Sequence, residues 1–262
     1  MQISFVILNW NSKQHIQKCI NSIIENLNFE KIPYEILIVD NGSTDGSVEI
    51  INDYSINFPD IVKPFFLTKN TGTTFSRNLA LKKTRGRYIA VIDSDVEIIK
   101  GIFEELIQVL LNNERIGIVA PRLVYGNGSL QKSTDNFPTI FSKVYRFFFL
   151  KRIEKKESFF CPNKICDVEY AISAFWFFNR KLIDIVGLLD EKIFYAPEDV
   201  DYCLRVWKQG YRIVYAPNVS AVHNAQEISR GLRINKATIE HVKGLFYFFK
   251  KHGYLLNKPT FF

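Results

Sequence analysis

An α/β fold with a mostly parallel, doubly wound sheet, helices on both faces and a smaller region beside it is the class this sequence predicts. Three observations predict it. The runs ISFVIL (3–8), YEILIV (34–39), RYIAVI (87–92) and IGIVAP (116–121) are short and apolar without polar alternation, the pattern of strands buried on both faces. Segments with helical spacing lie between them, and a strand–helix–strand alternation favours parallel pairing. Hydrophobic residues make up 47% of the 262 positions and aromatics 15%, enough to fill a sizeable core and to exclude wholesale disorder.

The elements follow in order. ISFVIL is the first strand. Ile16, Cys19, Ile20, Ile23, Ile24 and Leu27 repeat at i, i+3, i+4, i+7 and predict a helix with one buried face. YEILIV is the second strand and runs into DNGSTDGS (40–47), rich in turn and capping residues, so a helix is expected to start near Asp45. IVKPFFL (61–67) is a third strand, weakened by Pro64. A loop entering a helix (70–86), the strand 87–92, an amphipathic helix marked by Phe103, Leu106, Ile107 and Leu110, and the strand 116–121 complete the alternation. From about 121 to 166 the rhythm breaks, and 141–160 is aromatic and basic. Regularity returns with VEYAISAFWFF (168–178), a helix near 180–186, and a helix from about Asp199 that buries Val200, Cys203, Leu204 and Trp207 and stops at Gly210. YRIVYAP (211–217) is a late strand; Ile239, Val242, Phe246 and Phe249 share one face of a basic C-terminal helix.

The net charge of +7 points to an anionic partner: a nucleotide, a nucleic acid or an acidic membrane surface. Cys19, Cys161, Cys166 and Cys203 are scattered without a metal-binding pair, which reads as free thiols in a reducing compartment. The N-terminus reads as a strand and not as a signal peptide, and no run approaches the roughly 18–20 apolar residues of a membrane span. The expected location is cytoplasmic.

Ligands of an open parallel sheet bind beyond the carboxyl ends of its strands. At those ends stand Asn9 and Asn11, Asp40 and Asn41, and Asp93 with Asp95. Asp93 and Asp95, two positions apart, point the same way in extended backbone, and such a pair suits Mg²⁺ or Mn²⁺ beside a phosphate. A solvated turn explains the same residues. Glu198 and Asp199 open a helix, where carboxylates favour the helix dipole and where an ionised carboxylate can serve as a general base. Arg77 suits either a phosphate or a salt bridge. His223 follows a strand-like segment, as a structural residue or a ligand.

Taken in order, ILNWNS, VDNGSTDGS, NTGTTFSRNLAL, YIAVIDSDV, PRLVYGNGSLQ and IDIVGLLDEKIFYAPEDVDYCLRVWKQGYRIVYAPNVSAVH resemble glycosyltransferase family 2, inverting enzymes of GT-A fold, and within it the rhamnosyltransferase-like enzymes of bacterial surface polysaccharide synthesis. The resemblance covers residues 1 to about 225. It implies a transferase domain over 1–225, with a nucleotide-sugar half (1–120) and an acceptor half (121–225), and leaves 226–262 as a basic amphipathic helical tail. It implies that Leu8, Asn9, Trp10, Asp40 and Asn41 hold base and ribose, with Trp10 as stacking platform. Arg77 would contact the nucleotide, Asp95 the metal, Asp93 the ribose or metal-bound water, and His223 the metal or diphosphate. Asp199 would be the catalytic base, with Glu198 beside it orienting the acceptor. The implied partners are Mg²⁺ or Mn²⁺, a nucleotide-sugar donor of dTDP-rhamnose or UDP-hexose type, and a saccharide or lipid-linked acceptor. Apart from the resemblance, the basic, aromatic segments 141–160 and 236–252 suit a membrane surface; core aromatics with solvated lysines explain the same residues. No nucleic acid is implied, and a homo-oligomer is compatible. Two positions depart from the subgroup: Asp93, where Asn is frequent, and AISAFWFF (171–178), where a Gly-Ala pair is usual. The second departure supports an alternative, a weakened homologue acting as a binding or scaffold subunit. A sugar nucleotidyltransferase is the other rival, without the glycine-rich loop it would need in ILNWNSKQ.

Overall fold

Strands that are apolar on both sides need cover on both sides, and the chain supplies it. The computed structural model describes residues 1–142, 163–225 and 236–261. β1 (Ile3–Asn9) pairs in parallel with β2 (Tyr34–Asp40) and β4 (Tyr88–Asp93), and β2 with β3 (Val62–Phe66). β3 is an edge strand, which is where Pro64 is tolerated. Beyond β4 lie β10 (Phe175–Asn179), β6 (Ile116–Val124), β11 (Arg212–His223) and β5 (Val96–Ile98), giving the order β3-β2-β1-β4-β10-β6-β11-β5. β6 and β11 are parallel to each other, whereas β10 runs antiparallel between β4 and β6. β8 (Cys166–Asp167) adds to β11, and β7 (Thr134–Asp135) with β9 (Tyr170–Ala171) forms a small separate ladder.

Helices α1 (Lys13–Glu30), α2 (Ser47–Asn57) and α4 (Phe103–Asn112) cover one face, burying Ile16, Ile20, Ile23, Ile51 and Phe103. Helices α3 (Thr73–Leu81), α5 (Lys181–Val186), α6 (Glu198–Lys208) and α7 (Lys236–His252) cover the other, burying Leu81, Leu182, Val200, Leu204 and Phe248. The predicted buried face of α6 is the observed one: Val200, Cys203, Leu204 and Trp207 are all buried.

Several expectations change. α2 begins at Ser47, not Asp45, because the Asp45 carboxylate is occupied by the Lys13 and Ser47 amides and the Ser47 hydroxyl. The stretch 168–178 is two strands, β9 and β10, with a turn between them that carries Ser173. β11 runs on to His223 through a register shift after Ala216. Cys19 and Cys203 are free and buried, but Cys166 is in a disulfide, so the expectation of free thiols fails there. On α7, Phe249 is buried, whereas Ile239, Val242 and Phe246 point outward and the core contacts come from Leu245, Phe248 and Phe249. Residues 143–160 of the aromatic, basic segment lie outside the described residues. Among the described residues, no helix is long and apolar enough to cross a membrane.

Candidate functional site

Three strand ends and one turn build the site. The parallel register sets Leu8 opposite Asp93 and Asn9 opposite Asp40, so the ends of β1, β2 and β4 share one rim. Asn9 Nδ2 donates to Asp40 Oδ2 at 2.7 Å and to the Ser43 hydroxyl at 3.2 Å, and the Ser43 amide donates to Asp40 Oδ1 at 2.9 Å. Asp40 is thus fixed at both oxygens, while Asn9 Oδ1 is buried without a partner. A buried amide oxygen left bare is costly unless something meets it, which makes it a group a ligand can satisfy. Trp10 stands beside it, 41% exposed. Asn41 is turned inward: its Oδ1 accepts from the Thr71 amide and hydroxyl, and its Nδ2 donates to Asn70 Oδ1 and the Gly72 carbonyl. Its amide is spent on shaping the loop that leads into α3.

Asp93 ends β4, and Ser94–Asp95 make a turn into β5. The pair is therefore not brought together by extended backbone, as the spacing predicts; the turn does it. The pairing of β5 with β11 sets His223 opposite Val96, immediately after Asp95. One ligand atom from each of Asp93, Asp95 and His223 lies within 4.8 Å of the others. His223 Nε2 is 3.3 Å from Asp95 Oδ1, and its Nδ1 is 2.8 Å from the buried Gln131 Oε1. An Nδ1–H donated to Gln131 leaves Nε2 as the ring nitrogen that faces the carboxylates. Burial pulls the His223 pKa down, but the hydrogen bond to Asp95 and the charges of Asp95 and Asp93 together leave it above its ordinary value. Desolvation raises the Asp93 carboxyl, the Arg77 charge opposes this, and the Asp95 charge adds to it. Two carboxylates and an imidazole fit a divalent cation of Mg²⁺ or Mn²⁺ type.

Arg77 joins this cluster to α6. Its side chain is 2% exposed; Nη2 donates to Asp93, and Nη1 donates to the Ser173 hydroxyl at 2.7 Å and to Glu198 Oε1 at 3.2 Å. The Ser173 hydroxyl in turn donates to Glu198 Oε1 at 3.0 Å. Arg77 is therefore a buried ion-pair centre and not a surface salt bridge. Burial, followed by the charge of Asp199, pushes the Glu198 carboxyl up to about 8 against the opposing pull of Arg77. Glu198 holds a proton at neutral pH, whereas Asp199, half-buried on the first turn of α6, accepts the Val200 amide.

The residues that sequence reasoning passes over are Gln131, Ser43 and Ser173. Ser173 shows in the sequence only as a departure from a pattern, and nothing local marks Gln131. The aromatics after Ser173 do not crowd the rim: Phe175 and Phe177 enter one core, Trp176 and Phe178 the other. A cleft of about 420 Å³ lined by Gln17, Asn21, Tyr54 and Phe58 shares no residue with the rim.

The mostly parallel sheet covered by helices on both faces is that of the GT-A glycosyltransferase fold, and solved structures of that fold match it. TarS of S. aureus, residues 1–349 in complex with UDP, matches with a TM-score of 0.60 and 21% identity over 85% of this chain and 60% of that one. The mannosyltransferase PcManGT of Pyrobaculum calidifontis, in complex with GDP-Man and Mn²⁺, matches with a TM-score of 0.63 and 18% identity over 98% and 66%. The chain belongs to glycosyl transferase family 2, whose model matches residues 4–183. The poly(ribitol-phosphate) beta-glucosyltransferase of Bacillus spizizenii is 38% identical over 95 residues, 36% of this chain but 15% of that protein. The chain thus matches a minor part of that relative's length.

Proposed function

We propose that this chain is an inverting transferase that moves a hexosyl group from a nucleotide sugar to a hydroxyl of a saccharide or lipid-linked acceptor in surface polysaccharide synthesis. The observation that carries the reading is the continuous link from Asp95–His223 and Asp93 through Arg77 to Glu198–Asp199. UDP-hexoses and dTDP-rhamnose are the first donors to test. UDP in TarS and the polymer named for the Bacillus enzyme support such donors and acceptors.

Trp10 stacks on the base, and Asn9 with Asp40 faces base and ribose. Asp93, Asp95 and His223 would hold Mn²⁺ or Mg²⁺; the imidazole favours Mn²⁺, the softer of the two. When bound, the ion neutralises charge on the departing diphosphate. Arg77 keeps Asp93 in place and adds positive charge behind the phosphates. Asp199 takes the proton of the acceptor hydroxyl as its oxygen bonds to the anomeric carbon, from the side opposite the diphosphate. The sugar–phosphate bond breaks, the nucleoside diphosphate leaves, and the anomeric centre inverts. Glu198, protonated and tied to Arg77 and Ser173, fixes the start of α6 and does not compete as base.

The exposed Ile239, Val242 and Phe246, with Lys243 and Lys250 beside them, face a membrane surface that carries the acceptor. Co-sedimentation with anionic liposomes at low but not high salt checks this. The aromatics whose bulk favours the scaffold alternative are core residues, which speaks for the transferase reading.

The main test is nucleoside diphosphate release across UDP-glucose, UDP-GlcNAc, dTDP-rhamnose and GDP-mannose with Mn²⁺. Asp199→Asn lowers turnover at least about 100-fold while donor binding survives. Asp95→Ala abolishes the metal-dependent part of donor affinity in calorimetry. Near-normal turnover of the first, or unchanged metal-assisted affinity in the second, refutes the reading.

A further inference from the structure

The segment that delivers Asp199 to the rim, residues 193–197, is held from two sides. On one side is the start of α3. Thr73 donates its amide to the Phe194 carbonyl at 2.7 Å and its hydroxyl to the Tyr195 carbonyl at 3.0 Å, and the Thr74 hydroxyl donates to the Ile193 carbonyl at 2.6 Å. Gly72 makes that approach feasible, since a Cβ there would sit 2.3 Å from the Phe194 oxygen. On the other side is α7. Gly244 is buried in mid-helix, and a Cβ on it would lie 2.0 Å from the Ala196 carbonyl oxygen and 3.1 Å from Pro197 Cδ. Glycine weakens a helix interior relative to alanine, so its place here needs a reason, and close backbone approach is one.

The next turns of α7 tie down the same region. The Tyr247 hydroxyl donates to Asp190 at 2.8 Å, and Lys251 donates to Asp190 at 2.7 Å and to Asp201 at 2.6 Å. His252 Nε2 lies 2.8 Å from that Asp201 oxygen. Asp201 is on α6, one turn from Glu198, and its amide donates to the Pro197 carbonyl at 3.0 Å.

We infer that Gly244 is a positioning residue for the transfer reaction: its missing side chain lets α7 seat on the Ala196–Pro197 backbone and so sets the position of Asp199 relative to the donor rim. This rests on the assignment of Asp199 as base. Through Thr73 and Thr74 the same segment is tied to α3, the helix that carries Arg77, so α7 completes a clamp whose other jaw belongs to the donor side.

The test uses the full chain and Gly244→Ala. Amide hydrogen exchange, which needs no ligand, is expected to quicken in 193–201 and to stay unchanged in β1, β2 and β4. Turnover with the most active donor of the panel is expected to fall by about 100-fold, the cost of a misplacement near 1 Å. Affinity for UDP, dTDP or GDP with Mn²⁺ is expected to stay within about two-fold, because only coupled sites depart from independence. In an Asp199→Asn background Gly244→Ala is expected to lower turnover no further, which a general loss of structure would not produce. Should Gly244→Ala not fold, Tyr247→Phe with Lys251→Met loosens the same seat from the other end and is read in the same three ways. Unchanged exchange in 193–201, full turnover, or nucleotide affinity falling in step with turnover overturns the inference. Full activity of Asp199→Asn alone overturns the base assignment instead, so the two failures are distinct.

Discussion

The two sides of the rim are built differently. On the β1–β2 side Asn9, Asp40 and Ser43 sit at the ends of neighbouring parallel strands, and the register that pairs Asn9 with Asp40 brings their side chains together. On the α6 side nothing follows from a shared register. Arg77 reaches Glu198, Thr73 reaches Phe194, and Gly244 reaches Ala196, each across a long stretch of chain. The first side is fixed by local strand–turn–helix geometry, and the second by a few buried polar contacts between distant segments. Damage to one such contact should therefore spread on the α6 side and stay confined on the β1–β2 side.

Arg77→Met is the strongest way to break that contrast. It strands Asp93 and Glu198 beside an apolar side chain, and breaking a buried ion pair costs about 3–5 kcal/mol. Chemical denaturation is expected to show a loss near the lower end of that range, since Glu198 already holds a proton and only the Asp93 charge is left bare. A loss below about 1 kcal/mol, the level of an exposed pair, would make Arg77 peripheral.

Glu198→Gln acts in the opposite direction. The Glu198 carboxyl is pushed up to about 8 in the fold from an ordinary 4.5, so the folded protein keeps a proton that the unfolded chain releases. Stability is lost as pH rises through that window, and glutamine has no proton to lose. The variant is expected to match the parent below pH about 4.5 and to be the more stable of the two by several kcal/mol at pH 9. Thermal melting across pH measures this, and a constant difference would show that Glu198 is not held protonated.

Gln131→Leu sharpens the picture at the metal-competent cluster. It removes the acceptor on His223 Nδ1 and frees the ring to choose its tautomer. Loss of such outer partners weakens metal binding about 10- to 100-fold. Titration with Mn²⁺ followed by electron paramagnetic resonance reads the change directly, and unaltered affinity would detach Gln131 from the site.

Much of the fold is legible in the sequence because its strands are buried on both faces and its helices on one. Each leaves a periodic signature, and parallel pairing then places Asn9, Asp40 and Asp93 on one edge. β5 escapes notice because three residues carry too little pattern, and β9 and β10 merge into one regular stretch because the turn at Ser173 holds no glycine or proline to mark it. The convergence of Asp93 with Asp95 is read correctly for an incorrect reason, since a turn and not a pleat aligns them. Gln131 and Gly244 are invisible, and Ser173 shows only as a departure from a pattern, because each acts on a residue far away in the chain. The outward face of α7 shows that periodicity can mark a stripe without saying which side of it meets the core.

The reversed direction of β10 has one more consequence. Every parallel strand offers the rim its carboxyl end, and the helix that follows limits what can change there. β10 offers its amino end, so Ser173 and the Ala174 carbonyl that receives the Asp93 amide arrive from upstream. The rim thus receives Ser173 from a turn that enters the sheet, whereas β1, β2 and β4 give it the loops by which the chain leaves.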